Sequence, residues 1–141
     1  MLALALVFAA ASPANANQVV LDQLRAFDET VGNIGYELAR HGTALCPARI
    51  APLAGMRVHT LGQYGAAVRA DAKALFGLGD YPAILTLAND SAADKAGLKP
   101  GDWIVSIDGA EMKAGEGYEG VARFDAALEA ALAKPPATLV I

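Results

Sequence analysis

Apolar residues recur with a helical period through the first third of the chain. Between Val20 and Ala39 they recur at Leu21, Leu24, Val31, Ile34 and Leu38, with Phe27 and Tyr36 beside them. This spacing predicts an amphipathic helix that ends near Gly42. Its charged residues are expected to form the solvent face, namely Asp22, Arg25, Asp28, Glu29, Glu37 and Arg40.

The middle of the chain changes from an irregular connection to short alternating elements. Residues 43–55 contain Pro47 and Pro52 and show no period, so we expect an irregular connection there. Apolar and polar positions then alternate over residues 56–60, which predicts a strand. A second helix is predicted from Tyr64, Val68, Ala72 and Leu75, with Gly77 as its left-handed cap. The apolar run 83–88 predicts another strand.

The segment from Ser91 to Gly109 carries a dense series of turn signals. Asn89, Asp90 or Ser91 can cap one short helical turn, and Gly97 can end that turn at positive φ. Pro100-Gly101 suits a type II turn, and residues 103–107 predict a strand that closes at the Asp108-Gly109 hairpin signal. A third helix follows from Val121 to Leu132, and a last strand covers residues 138–141.

The N-terminus has the pattern of an export signal. Leu2 to Ala11 is apolar, and the triplet Ala14-Asn15-Ala16 predicts cleavage after Ala16. The apolar run is about half the length that a membrane-spanning helix needs, so the mature chain is not expected to span a membrane. A periplasmic or secreted location follows; the alternative is that the run forms a buried helix.

Charge and residue types exclude several kinds of chemistry. The net charge of -4 comes from interspersed residues, which argues against a nucleic-acid partner. The two histidines, His41 and His59, lack metal-ligand spacing, and no nucleophile motif is present, so we expect neither catalytic residues nor a metal or other cofactor in this chain. Cys46 is the single cysteine, and it either lacks its partner or is a buried, inert thiol.

The run Ser91 to Gly109 resembles bacterial periplasmic-type PDZ domains, and the resemblance extends over about residues 76–141. It implies an α+β fold, a PDZ-like partly open β-barrel or sandwich with two flanking helices, preceded by a helical N-terminal segment. The expected organisation is a signal peptide at 1–16, a helical preface and connection at 17–62, and a PDZ-like domain at 63–141 that is truncated at its last strand.

The resemblance also implies a peptide site. In that family a peptide adds as an extra strand beside a helix, and a glycine-containing loop holds its terminal carboxylate. Carried onto this chain, the implied peptide-binding residues are Phe76, Gly77, Leu78 and Gly79 in the loop, Ile84, Leu85 and Thr86 in the edge strand, and Phe124 and Leu128 in the helix. A helix cap and a turn also explain Gly77 and Gly79, and core packing also explains Phe124 and Leu128.

Two functions remain compatible with these residues. The first is a peptide-binding module that selects or gates substrates for an exported protease with its catalytic domain beyond Ile141. The chain then resembles the N-terminal part of a PDZ-containing zinc metallopeptidase more than a Ser/Lys processing protease, and zinc belongs to that downstream domain. The alternative is a non-enzymatic periplasmic adaptor or secretion component that binds the C-terminal tail of a partner.

Overall fold

The computed structural model describes residues 16–45, 47 and 51–141 of the chain. Residues 1–15, which hold most of the predicted signal peptide, and Cys46 lie outside this range. The helices are α1 (Ala16–His41), α2 (Ala66–Phe76), α3 (Ala92–Lys95) and α4 (Glu119–Leu132), and the strands are β1 (Met56–His59), β2 (Ala83–Leu87), β3 (Ser106–Ile107), β4 (Ala110–Glu111) and β5 (Leu139–Val140). Among the described residues, no helix is long and apolar enough to cross a membrane.

Two small antiparallel sheets give the α+β class that the sequence predicts. β1 pairs with β2 over the whole length of β1, from Met56 opposite Leu87 to His59 opposite Ala83, with one shift in register. β3 lies between β4 and β5 in the second sheet. Because β1 belongs to the predicted preface and β2 to the predicted domain, a boundary after residue 62 would separate two paired strands.

The turn residues adopt the conformations predicted for them. The Ser91 side chain caps α3 by accepting a hydrogen bond from the Asp94 N–H at 3.2 Å, and Gly97 takes a φ of 83° after that helix. Asp108 and Gly109 both have positive φ, at 48° and 82°, as a type I′ hairpin requires. Gly77 ends α2 in the left-handed conformation.

The main core is built from side chains of β1, β2, β3 and α4 and of the segments that flank β3 and β4. It consists of the buried side chains Val58, Ile84, Ile104, Ile107, Met112, Phe124 and Ala131. Phe124 is 1% exposed and is therefore the main anchor of α4. Gly120 lets the start of α4 lie against the segment at residues 113–114, because a Cβ there would lie 1.7 Å from the carbonyl oxygen of Ala114.

A second cluster lies beside this core and is formed with α1 and α2. Leu21, Ala72, Leu78 and Ala83 are its buried members. His59 extends the cluster, because its ring packs edge-on against Phe76 and its Nδ1 shares a 2.7 Å hydrogen bond with the Tyr64 hydroxyl. Burial lowers the pKa of His59 to about 4 and raises that of Tyr64 to about 12, so both groups are neutral near pH 7.

Helix α1 is seated in a way that the apolar period did not predict. Leu21 is its buried residue, while Leu24, Phe27, Ile34 and Leu38 are 55–69% exposed. Polar contacts also hold the helix: the Asn33 side chain accepts a 2.8 Å hydrogen bond from the Asn89 N–H, and the Asn17 side-chain amide donates a 2.8 Å hydrogen bond to Asp71 on α2. The expected arrangement, with the apolar face inward and only the charged face in solvent, is therefore wrong.

His59 should make the stability of the fold depend on pH. Its folded-state pKa of about 4 lies below its ordinary value of 6.5, so at pH 5 the unfolded chain binds a proton that the folded chain does not. The contribution of His59 to the free energy of unfolding is complete above pH 6.5 and is lost as the pH falls towards 4. The loss amounts to up to about 3 kcal/mol. Urea unfolding between pH 4 and pH 7 measures it.

The matched variants for this test are His59→Gln and His41→Asn. His41 is an exposed residue at the end of α1, so its replacement should leave the pH profile of the wild type in place. His59→Gln removes the titrating group, so the stability of this variant should fall less than that of the wild type between pH 6.5 and pH 4. Parallel profiles for the wild type and His59→Gln would contradict the assignment.

Gly97→Ala should destabilise the domain by about 1 kcal/mol, because an alanine at positive φ is strained. The effect isolates backbone strain, since no atom lies within 4 Å of the position that the new Cβ would occupy. Gly42→Ala is the control, because that position is equally open and has no positive φ. Chemical denaturation compares the two variants, and equal stability losses would count against strain at Gly97.

Candidate functional site

Strand β2, the edge predicted to receive a ligand, has neighbours on both sides. β1 covers one side. On the other side the N–H of Ile84 donates to the carbonyl of Asp102 at 2.9 Å, the N–H of Gly101 donates to the carbonyl of Ile84 at 2.8 Å, and Ala83 forms a bridge with Trp103. An added strand therefore has no free edge along the first half of β2, which differs from the sequence-based expectation.

The predicted carboxylate loop, Phe76 to Gly79, is engaged with the scaffold. The Gly77 carbonyl accepts a 3.0 Å hydrogen bond from the indole nitrogen of Trp103, and Leu78 is 2% exposed. Gly79 lies against the Trp103 ring so closely that a Cβ would be 2.7 Å away. The left-handed φ of Gly77 and the close approach of Gly79 to Trp103 explain both glycines without a ligand.

The remaining predicted residues divide between the core and a cavity. Ile84 and Phe124 are buried members of the main core. Leu85 is half-buried and lies outside the cavity, whereas Thr86 and Leu128 are among the residues that line it. The structure thus brings together two of the predicted peptide-binding residues and separates them from the loop at 76–79.

The cavity, here called the β1 groove, lies between α1 and α4 beside the first residues of β1. Its volume is about 590 Å³. α1 contributes Gly32, Gly35 and Ala39 among others, and α4 contributes Leu128 and Leu132. The floor and one end come from residues 51–57.

Strand β1 contributes Met56 and Arg57 to the lining of this groove. In the described part of the chain its sheet contains only β1 and β2, so the second edge of β1 has no strand partner. The loop before β1 is held in place, because the carbonyls of Ala54 and Gly55 accept hydrogen bonds from the N–H groups of Ala93 and Ala88 at 3.0 and 2.7 Å. Gly55 needs its φ of 75° and its lack of a side chain, since a Cβ would lie 2.3 Å from that of Ser91.

The lining of the groove is largely apolar with a charged rim. Met56, Leu128 and Leu132 supply apolar surface, and the charged residues Arg57, Asp125 and Glu129 also line the groove. Partial burial raises the pKa of the Asp125 carboxyl, and the positive charge of Arg57 opposes that rise. Small side chains on α1 leave room here, because a Cβ at Gly35 would meet nothing within 4 Å.

The structure assembles no metal site from the residues that it describes, since no group of three His, Cys, Asp or Glu side chains is suitably placed among them. His59 lines neither the β1 groove nor the shallower, more polar depression near Lys113 and Glu116. The β1 groove has the features of a ligand site: it is concave and apolar, and it has a few polar groups at its rim.

A comparison with known families identifies the segment from β2 into α4, which contributes Thr86 and Ala88 to the groove. Residues 84–124 match the family model of the PDZ domain. The chain contains a PDZ domain over these residues. The matched segment runs from β2 to the first half of α4 and includes the Ser91 cap, Gly97 and the Asp108-Gly109 hairpin. No curated protein and no solved structure matches the chain.

Sequence reasoning missed the contribution of β1, its preceding loop and α1 to the groove. The alternation of residues 56–60 did predict a strand, and this is confirmed. The pattern of residues 56–60 does not indicate the partner strand, because an isolated alternating segment does not specify which strand it pairs with or which of its edges stays free. These residues also precede the segment that matches the PDZ family.

Proposed function

We propose that this chain binds an extended peptide in the β1 groove through its PDZ domain. PDZ domains bind peptide tails, commonly by adding the peptide as a strand to a sheet edge. The observation that carries the proposal is that β1 has an edge without a strand partner in the described part of the chain and that its first residues line a cavity of about 590 Å³ together with residues of α1 and α4.

The direction of the bound peptide follows from the loop before β1. A peptide antiparallel to β1 would end beside residues 53–55, because the C-terminus of an antiparallel strand lies next to the N-terminus of its neighbour. The carbonyls of Ala54 and Gly55 are already bonded to the domain, so the N–H groups of this loop are the donors proposed for a terminal carboxylate. Leu128 and Leu132 would contact the apolar side chains of the peptide.

The first test compares two forms of one peptide with an apolar C-terminus, titrated by fluorescence anisotropy. Charge-assisted hydrogen bonds contribute about 1.5–3 kcal/mol, so amidation of the terminus should weaken binding about tenfold or more. Amide chemical shifts distinguish the two carboxylate loops: shifts at Ala54 and Gly55 support the loop before β1, and shifts at Gly77 and Gly79 support the loop predicted from sequence.

Two pairs of variants test the groove itself. Leu128→Asp should weaken binding strongly, whereas Leu75→Asp, on an exposed part of α2, should not.

Gly35→Leu fills the groove at a position with open space and should weaken binding about tenfold. Gly42→Leu is the control, because position 42 is equally open but lies outside the groove, and this variant should bind like the wild type. If neither the free acid nor the amide binds the wild-type chain, the proposal fails.

We further propose that this module is exported and selects or gates substrates for a protease. Support comes from the signal-like pattern at residues 1–16 and from the resemblance to the front of bacterial PDZ-containing metallopeptidases. On this view zinc and the catalytic residues belong to a domain beyond Ile141. An adaptor that binds the tail of a partner protein is the second candidate, and the isolated groove is equally compatible with it.

The reading frame beyond Ile141 separates these two candidates. We expect it to continue into a domain with an H-E-x-x-H motif, in which two histidines one helical turn apart bind zinc. A Ser/Lys domain would indicate a processing protease instead. A stop codon soon after Ile141 would contradict the protease proposal and favour the adaptor.

A further inference from the structure

A continuous apolar stripe runs along the exposed side of α1 and belongs to neither core cluster. Its members alternate at intervals of four and three residues, and they are Val20, Leu24, Phe27, Val31, Ile34 and Leu38. Each is 47–69% exposed. We call these six side chains the α1 stripe.

The PDZ domain uses a different side of the same helix. Leu21 is the buried residue of α1, and the Asn33 side chain accepts a 2.8 Å hydrogen bond from the N–H of Asn89, just after β2. These residues lie about a quarter turn or more away from the stripe at 3.6 residues per turn. The stripe is therefore not required to hold α1 on the domain, although it is the most apolar surface of the helix.

The spacing of the stripe specifies the kind of surface that fits it. Alternating intervals of four and three residues repeat every seven, and this keeps an apolar seam on one side of a helix that packs against another helix of the same kind. The stripe continues over most of α1, whose 26 residues extend for about 39 Å. A partner that matches it must be a long helix with apolar residues in the same repeat.

A second copy of α1 meets this requirement. If two α1 helices lie antiparallel about residue 29, Leu24 is opposite Ile34, Phe27 is opposite Val31, and Val20 is opposite Leu38. Every member of the stripe then contacts another apolar side chain. The six residues expose roughly 600 Å² per chain, so pairing covers at most roughly 1,200 Å² in total, which is the lower end of the range for stable interfaces.

Charge and length argue against two other occupants. Helices that lie on membrane surfaces carry Lys and Arg on their polar face, but α1 has four acidic residues, Asp22, Asp28, Glu29 and Glu37, against Arg25 and Arg40. The apolar run Leu2 to Ala11 has ten residues, against the 26 residues of α1. Neither can cover the whole stripe favourably.

We propose that the α1 stripe is a self-association surface through which two copies of this chain pair as a two-helix coiled coil. The proposal is independent of peptide binding, because the stripe and the β1 groove share only Val31. Pairing would present two grooves in one particle and would bind bivalent or repeated peptides more tightly than single ones.

Sedimentation velocity on the 141-residue chain over a concentration series tests the proposal. The wild type should pass from monomer to dimer with rising concentration. Phe27→Glu places a charge in the middle of the seam and should weaken dimerisation at least about tenfold. Phe27 is 66% exposed in the single chain, so the variant should keep the circular dichroism spectrum and the peptide affinity of the wild type.

Val19→Glu is the matched control, because Val19 is an apolar residue of the same helix, 44% exposed and outside the repeat. This variant should dimerise like the wild type. A wild type that stays monomeric at the highest concentration would overturn the proposal, as would a dimer that survives Phe27→Glu. A monomer that binds anionic vesicles through the stripe would instead assign the surface to a membrane.

Discussion

The antiparallel pairing of β1 with β2 is the interaction on which the rest of the structure depends. It joins the first half of the chain to the segment that matches the PDZ family, and it places Val58 and Ile84 together in the main core. It also covers one side of β2, while Asp102 and Trp103 cover part of the other. The open edge of the sheet is therefore on β1, and the groove forms there.

The position of α1 follows from polar residues more than from its apolar period. Asn33 supplies an acceptor for the N–H of Asn89, and the Asn17 side-chain amide donates to Asp71 on α2. A helix seated through its apolar stripe would have buried much more surface and would leave the groove without its small-residue wall. The seating instead creates two surfaces on one helix, with the groove on one side and the stripe on another.

Much of the local structure was predictable because it depends on residues close together in sequence. Gly97 and the Asp108-Gly109 pair need backbone conformations that few other residues adopt, and Ser91 caps a helix from the adjacent position. Phe124 was predicted as either a groove or a core residue, and the structure places it in the core. The groove escaped prediction because it is lined by segments far apart in the chain, from Gly35 to Leu132.

The amino-acid sequence by itself determined the order of helices and strands, the turn conformations and the resemblance of Ser91 to Gly109 to PDZ domains. These properties follow from short-range sterics, capping and periodicity, which operate within a few residues. Only the tertiary structure decided which edge of the β1–β2 sheet is free and which side of α1 is exposed. Both depend on pairing between distant segments, where the same apolar pattern is compatible with burial against this domain or against another helix.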